Sequence, residues 1–239
     1  MKYFSILRKG LSSRALKSKI ESRVESKIES KDKSGAAGPG PGSLPEICKL
    51  LIEVSLNLLS DKLFKTLKSL NFHIRLKKVI EKLENHDKLL ASANLLDNTI
   101  DLYIDHSKIS DDSYLQQIPH SILHEVGHLV FYSLIKDCKV DSELKQNIAN
   151  FCEVSSKEGG VSLLSDNYIK HIYGKKLREA KRNEIKGIDI KFHENFAEVF
   201  RLVHIHKLEL LLDKKTELII NPEILKAYES LCIFDRDGV

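Results

Sequence analysis

Residues 121–130, SILHEVGHLV, constrain this chain more than any other stretch. Ile122, Leu123, Val126, Leu129 and Val130 surround a short polar motif with apolar side chains, the pattern of a buried helix at the centre of a domain. The motif itself holds His124, Glu125 and His128. Histidines four residues apart share one helix face, about a turn from each other, so both imidazoles can reach one metal ion. Glu125 sits one step round, off the ligand axis, where a carboxylate could take a proton from water that the metal has made acidic. These residue types suit Zn²⁺. With ten histidines in 239 residues, a random chain of this composition would hold roughly 0.03 such patterns, so chance explains it poorly. Two histidines do not complete a zinc site, and a third ligand must come from elsewhere.

Residues 191–204 read KFHENFAEVFRLVH. Phe192, Phe196, Val199, Phe200 and Val203 fall at helical spacing, and the opposite face carries Glu194 and Glu198, four apart. Such a pair can be an ordinary solvated acidic stripe, but like charges at this spacing repel and a metal would relieve them. In glutamate-type zinc sites a second helix supplies the third ligand, and a carboxylate one turn later orients a ligand histidine through its free ring nitrogen; Glu194 and Glu198 match those roles. His193 is the rival third ligand, although it points about 100° away from Glu194 on the helix and has Ala197 rather than a ligand at i+4. His204 and His206 read as surface or packing residues. His73, His86, His106, His120 and His171 have no metal-like spacing and receive no role.

HEVGH followed downstream by ENFAEVFRL resembles the anthrax lethal factor type of zinc metallopeptidase domain, a family that includes secreted proline-proline endopeptidases and has the form H-E-[FL]-G-H, then E-x-F-A-E-x-F. The likeness covers about residues 89–205. It implies a zincin-like fold and an endopeptidase, a secreted toxin or effector in type. His124, His128 and Glu194 would be the zinc ligands, Glu198 the support of a ligand histidine and Glu125 the general base. The family also has a tyrosine before the ligand glutamate that donates to the oxyanion. Tyr168, ending KEGGVSLLSDNY, matches it but stands farther from Glu194 than is usual there, across the inserted-looking GKKLREAKRNEIKG, and Tyr173 is a second candidate.

The rest of the chain frames this centre. Residues 45–70 show helical apolar spacing with a break and N-cap at Ser60 and Asp61; NFHIRL reads as a short strand, and KKVIEKLENH returns to helical spacing. In TIDLYID the period becomes two, and LDN before it signals a turn, giving a hairpin over 89–105. Residues 99–105 are then expected to be an edge strand on which an extended substrate pairs. Pro119 should open the motif helix or kink it. The expected fold is α+β, largely helical, with a small twisted sheet, over 44–239.

Residues 1–43 hold ten Lys or Arg against four Asp or Glu, a net of +6, so the remainder of this +4 chain is near −2 and no nucleic-acid partner is expected. KIESRVESKIES could form a helix with one narrow apolar stripe, docked on a partner or a membrane surface, or stay solvated. SGAAGPGPGS is a flexible linker. The opening MKYFSIL is too short for a secretory signal, and no run approaches the roughly 18 apolar residues of a membrane span. The compartment stays open between the cytoplasm and export by a route that reads the basic tail. Cys48, Cys138, Cys152 and Cys232 form no C-x-x-C pair.

The functional expectation is a zinc endopeptidase acting on a protein or peptide. Two alternatives stand beside it: an intracellular regulatory metallopeptidase that cleaves a repressor, and a catalytically inactive metal-binding module that holds a partner.

Overall fold

The apolar spacing after residue 45 becomes two helices, α1 (Glu46–Asn57) and α2 (Asp61–Ser69). Ser60 separates them as expected: its hydroxyl accepts the Leu63 N–H at 3.2 Å, satisfying a donor that the first turn of α2 would leave unpaired. The computed structural model describes residues 28–29, 46–78, 90–137, 141–157, 190–211, 217–218 and 220–231. The expected linker at 34–43 and most of KKVIEKLENH lie outside these; Lys77 and Lys78 of the latter complete a strand.

That strand is β2 (His73–Lys78), and the expected hairpin forms from β3 (Ala91–Asn94) and β4 (Thr99–Ile104), paired antiparallel with Ala93 opposite Ile100. Asn71 and Asn98 have φ 52°, the left-handed conformation that asparagine tolerates better than most residues, and the Asn98 side-chain amide donates to the Leu70 carbonyl at 2.9 Å. The end of α2 and the hairpin turn are thereby tied together. β2 runs parallel to β4, His73 opposite Thr99. A two-residue strand, β1 (Ile28–Glu29), pairs parallel with the outer edge of β2, so this part of the KIES repeat is extended where a helical stripe was one expectation.

The sheet order is β1-β2-β4-β3, which places β4 inside the sheet. Alternation gives it two unlike faces. Ile74, Ile100, Leu102 and Ala91 are buried toward the helices. On the other face Asp101 accepts Arg75 Nε at 2.8 Å and faces Lys77 Nζ at 2.6 Å.

Against the inner face lies α3 (Asp112–Asp137), the helix of the HEVGH motif. Pro119 lies inside it and does not open it. The helix starts seven residues earlier, where the Asp111 side chain accepts the Ser113 N–H at 2.8 Å, and buried Tyr114, Leu115 and Ile118 already anchor the turns that Pro119 continues. Helices α4 (Ser142–Lys157), α5 (Ile190–Leu211) and α6 (Pro222–Glu229) complete the described fold. Phe131, Phe151, Phe196 and Tyr228, one from each of α3 to α6, meet in a single aromatic cluster with neighbouring ring centroids 4.7–6.5 Å apart. Among the described residues no helix is long and apolar enough to cross a membrane.

Candidate metal centre

The centre exists because α3 and α5 approach closely. A Cβ placed on Gly127 would lie 2.7 Å from Ala197 Cα and 3.2 Å from Phe200 Cβ, so the glycine of HEVGH and the alanine of NFAEVF are where the two backbones nearly touch. The helices run in opposite directions. Residue 131 meets 193 and 196, residue 124 meets 194 and 198, and residue 120 meets 201.

This antiparallel register sets Glu194 between the two motif histidines. His124 Nε2 is 3.2 Å from one Glu194 carboxylate oxygen and His128 Nε2 is 3.2 Å from the other. The two imidazole rings stand nearly perpendicular, with centroids 4.8 Å apart. A tetrahedral ion with bonds of about 2.1 Å needs its ligand atoms roughly 3.4 Å apart, so the three donors are spaced to share one. Among the described residues, His124, His128 and Glu194 are the one group of His, Cys, Asp or Glu arranged this way, their ligand atoms all lying within 4.8 Å of one another. The side chains are 18, 13 and 20% exposed, so none is sealed from solvent. Two neutral imidazoles and a carboxylate fit Zn²⁺.

Burial disfavours a charged His124, but hydrogen bonds to Glu194 and Glu198 outweigh it and raise its pKa from 6.5 to about 10. Burial opposes ionisation of Glu194 as well, yet the charge on His128 and bonds from both histidines hold it well below the usual carboxylate range.

Glu198 stands behind His124, its Oε2 3.5 Å from Nδ1. That contact turns Nε2 of the same ring toward Glu194. Arg201 grips Glu198 in turn: Nε donates to Oε2 at 2.9 Å and Nη2 donates to Oε1. Burial would raise the Glu198 pKa, but the Arg201 bonds lead the effects that lower it to about 2. The third arm of the guanidinium, Nη1, is 2.5 Å from His120 Nδ1. His120 was given no role from spacing alone, although it stands four residues before His124, as His124 does before His128. Arg201 likewise stands one turn beyond Glu198. Those two offsets were the available signals.

No family model, curated protein or solved structure matches this chain.

Glu125 leaves the ligand group and points at the sheet. Its carboxylate accepts the Ala93 N–H at 2.7 Å. Tyr103 N–H donates to the Leu90 carbonyl, so alternate residues of β3 turn their backbone groups inward to β4, while Ala91 and Ala93 turn theirs to the outer edge, which no described strand pairs with. The edge beside the metal group is therefore β3. Residues 99–105 do not supply it, because β4 is hydrogen-bonded on both sides, to β2 and to β3.

The rival third ligand is displaced by packing. His193 is buried edge-on to Phe131, with ring centroids 4.8 Å apart, and neither ring nitrogen has a hydrogen-bond partner. Burial, then the neighbouring His128, lowers its pKa to about 4. His204 is a packing residue, stacked on Phe200 with centroids 4.2 Å apart. Tyr168 and Tyr173 lie outside the described residues.

Proposed function

We propose that this chain is a zinc-dependent endopeptidase that hydrolyses a peptide bond in an extended segment of a protein or peptide, of the kind its two motifs resemble. The observation that carries the reading is the position of Glu125, next in the chain to the ligand candidate His124 and acting on its charge, with its carboxylate hydrogen-bonded to the outward Ala93 N–H of β3 at 2.7 Å. A carboxylate so placed touches both the ion's neighbourhood and the line along which a peptide would run.

Zinc held by His124, His128 and Glu194 supplies Lewis acidity, making water acidic near neutral pH and polarising a carbonyl. The chain's own groups do the rest. Ala91 and Ala93 offer outward N–H and C=O groups, so a substrate strand adds to the sheet and is held by main-chain hydrogen bonds whatever its side chains. As it docks, the Ala93 N–H passes from Glu125 to a substrate carbonyl. The freed carboxylate then accepts the proton of the attacking water and returns it to the leaving amine. Tyr168 keeps the part the resemblance gives it, donor to the oxyanion.

The test is a proteome-derived peptide library incubated with zinc-loaded protein. Internal cleavages at a defined set of sequences, stopped by a chelator and restored by zinc, are the expected result. A chain that binds zinc yet cuts no peptide and no folded protein would be a metal-holding interaction module instead.

A further inference from the structure

The two glutamates of α5 differ in one respect. Glu194 and Glu198 are a turn apart on the same face and both reach His124, at 3.2 and 3.5 Å. Either carboxylate has the chemistry of a ligand. Only Glu198 is held by an arginine, which occupies both of its oxygens.

We infer that Arg201 is a positioning residue of the metal centre: it keeps Glu198 out of the ligand set and aims it at His124 Nδ1, with His120 bracing the far side of the guanidinium. This rests on the metal reading proposed above. A planar guanidinium donating through Nε and Nη2 fixes both the place and the plane of a carboxylate, which a lysine cannot do. Glu198 is only 6% exposed, so without Arg201 its charge would be stranded in a desolvated pocket whose nearest compensation is the ion itself. It would then turn from His124 Nδ1 to compete with Glu194 for the ion, and the ligand ring would lose its support. Charge balance agrees: a divalent ion and Arg201 together match Glu125, Glu194 and Glu198. Nη1 is the remaining arm of the fork, and the 2.5 Å contact with His120 Nδ1 makes that ring its acceptor. His120, His124 and His128 thus line one face of α3, the last two as ligands and the first as a brace.

A structural tie between α3 and α5 would use the same contacts, so the test must read the metal rather than the fold. Zinc affinity is measured by chelator competition for wild type, Arg201→Gln, Arg201→Lys, Glu198→Gln and the Arg201→Gln/Glu198→Gln double variant, alongside unfolding of each metal-free protein. Arg201→Gln should weaken zinc about 10–100-fold, the range seen when the outer support of a ligand is lost. Glu198→Gln should do about the same, and the double variant should be no worse than either, because the two residues act as one unit. Arg201→Lys should recover only part of the loss. In the cobalt-substituted protein, Arg201→Gln should shift the visible absorption as Glu198 competes with Glu194, and the double variant should restore it.

His120→Asn leaves the Arg201–Glu198 fork in place and should give a smaller loss of the same kind, which keeps the test open if Arg201 variants fold poorly. Unchanged zinc affinity and cobalt spectrum in a folded Arg201→Gln, whatever its thermal stability, would overturn the inference alone. So would additive losses in the double variant. Failure of the wild type to bind zinc at all would overturn the metal reading and this inference with it.

Discussion

One helix pair, α3 with α5, is built in two ways along its length. Toward the end of α3 and the start of α5 the contact is aromatic, with Phe131 stacked on Phe196 at 4.7 Å and Phe151 and Tyr228 closing the cluster from α4 and α6. On the other side of Gly127 and Ala197 the same helices meet through His120, His124, Glu198 and Arg201, and Glu194 reaches across to His124 and His128 from beside the rings. The spacing common to both is set where Gly127 lies against Ala197. The aromatic end gains from surface removed from water and from ring contacts. The polar end gains little, since desolvating its carboxylates and imidazoles costs about what their mutual attraction returns. The difference teaches that the rings hold the helices in register, and the charged end uses a register it does not have to stabilise.

The strongest way to break this comparison is at the aromatic end. Phe196→Ala should lower unfolding free energy by about 3–5 kcal/mol, read by chemical denaturation of the metal-free protein. Glu194→Ala should abolish zinc binding, read by chelator competition, whereas folded Phe196→Ala should still bind zinc. Loss of zinc from a folded Phe196→Ala variant would show that the ends do not divide the work in this way.

Next in size is Glu125→Gln. It keeps the ligands and the shape of the side chain, so zinc content and thermal stability should stay near wild type while turnover on a cleaved peptide falls roughly 100-fold or more. Turnover equal to wild type would remove Glu125 from the chemistry even with zinc in place.

Gly127→Ala sharpens the comparison because it acts on both ends at once. The added methyl meets the Ala197 backbone, which cannot swing aside as a side chain would, so the helices must part at about 1–3 kcal/mol. Stability and zinc affinity should fall together, and a loss of one without the other would mean that the ends do not share this spacing.

The last effect is on pH dependence, and it belongs to the polar end alone. The folded pKa of His124 is raised from 6.5 to about 10 against the pull of burial, so its contribution to metal-free stability is fully present below about 6.5 and is lost as pH rises through 10. Zinc requires the same ring neutral, so the Tm gain from saturating zinc should grow over that window. Thermal scans with and without zinc check both slopes. Glu198→Gln should flatten them, and Phe196→Ala should leave them as they are.

Much of this architecture follows from neighbours along the chain. The apolar spacings of 121–130 and 191–204 predict the two helices, the fourfold offset of His124 and His128 predicts their common face, Ser60 predicts the start of α2, and LDN with a period of two predicts the hairpin. Local rules failed where a distant partner decided. Pro119 does not open α3, because the helix starts seven residues earlier and buried Tyr114, Leu115 and Ile118 anchor the turns before it. A hairpin leaves each strand one unpaired edge, and it was β2, 26 residues before β4, that covered β4 and left β3 open.

The amino-acid sequence by itself determined which groups are available and which face of its own helix each occupies, since 3.6-residue periodicity and side-chain chemistry need nothing beyond the local chain. Only the tertiary structure decided which groups meet. His193 and Glu194 are adjacent in sequence, yet the close approach at Gly127 and Ala197 turns the first into the ring cluster against Phe131 and the second to the histidine pair. Arg201 and His120 are 81 residues apart, and no local rule joins them; they touch because two helices run in opposite directions at one fixed separation.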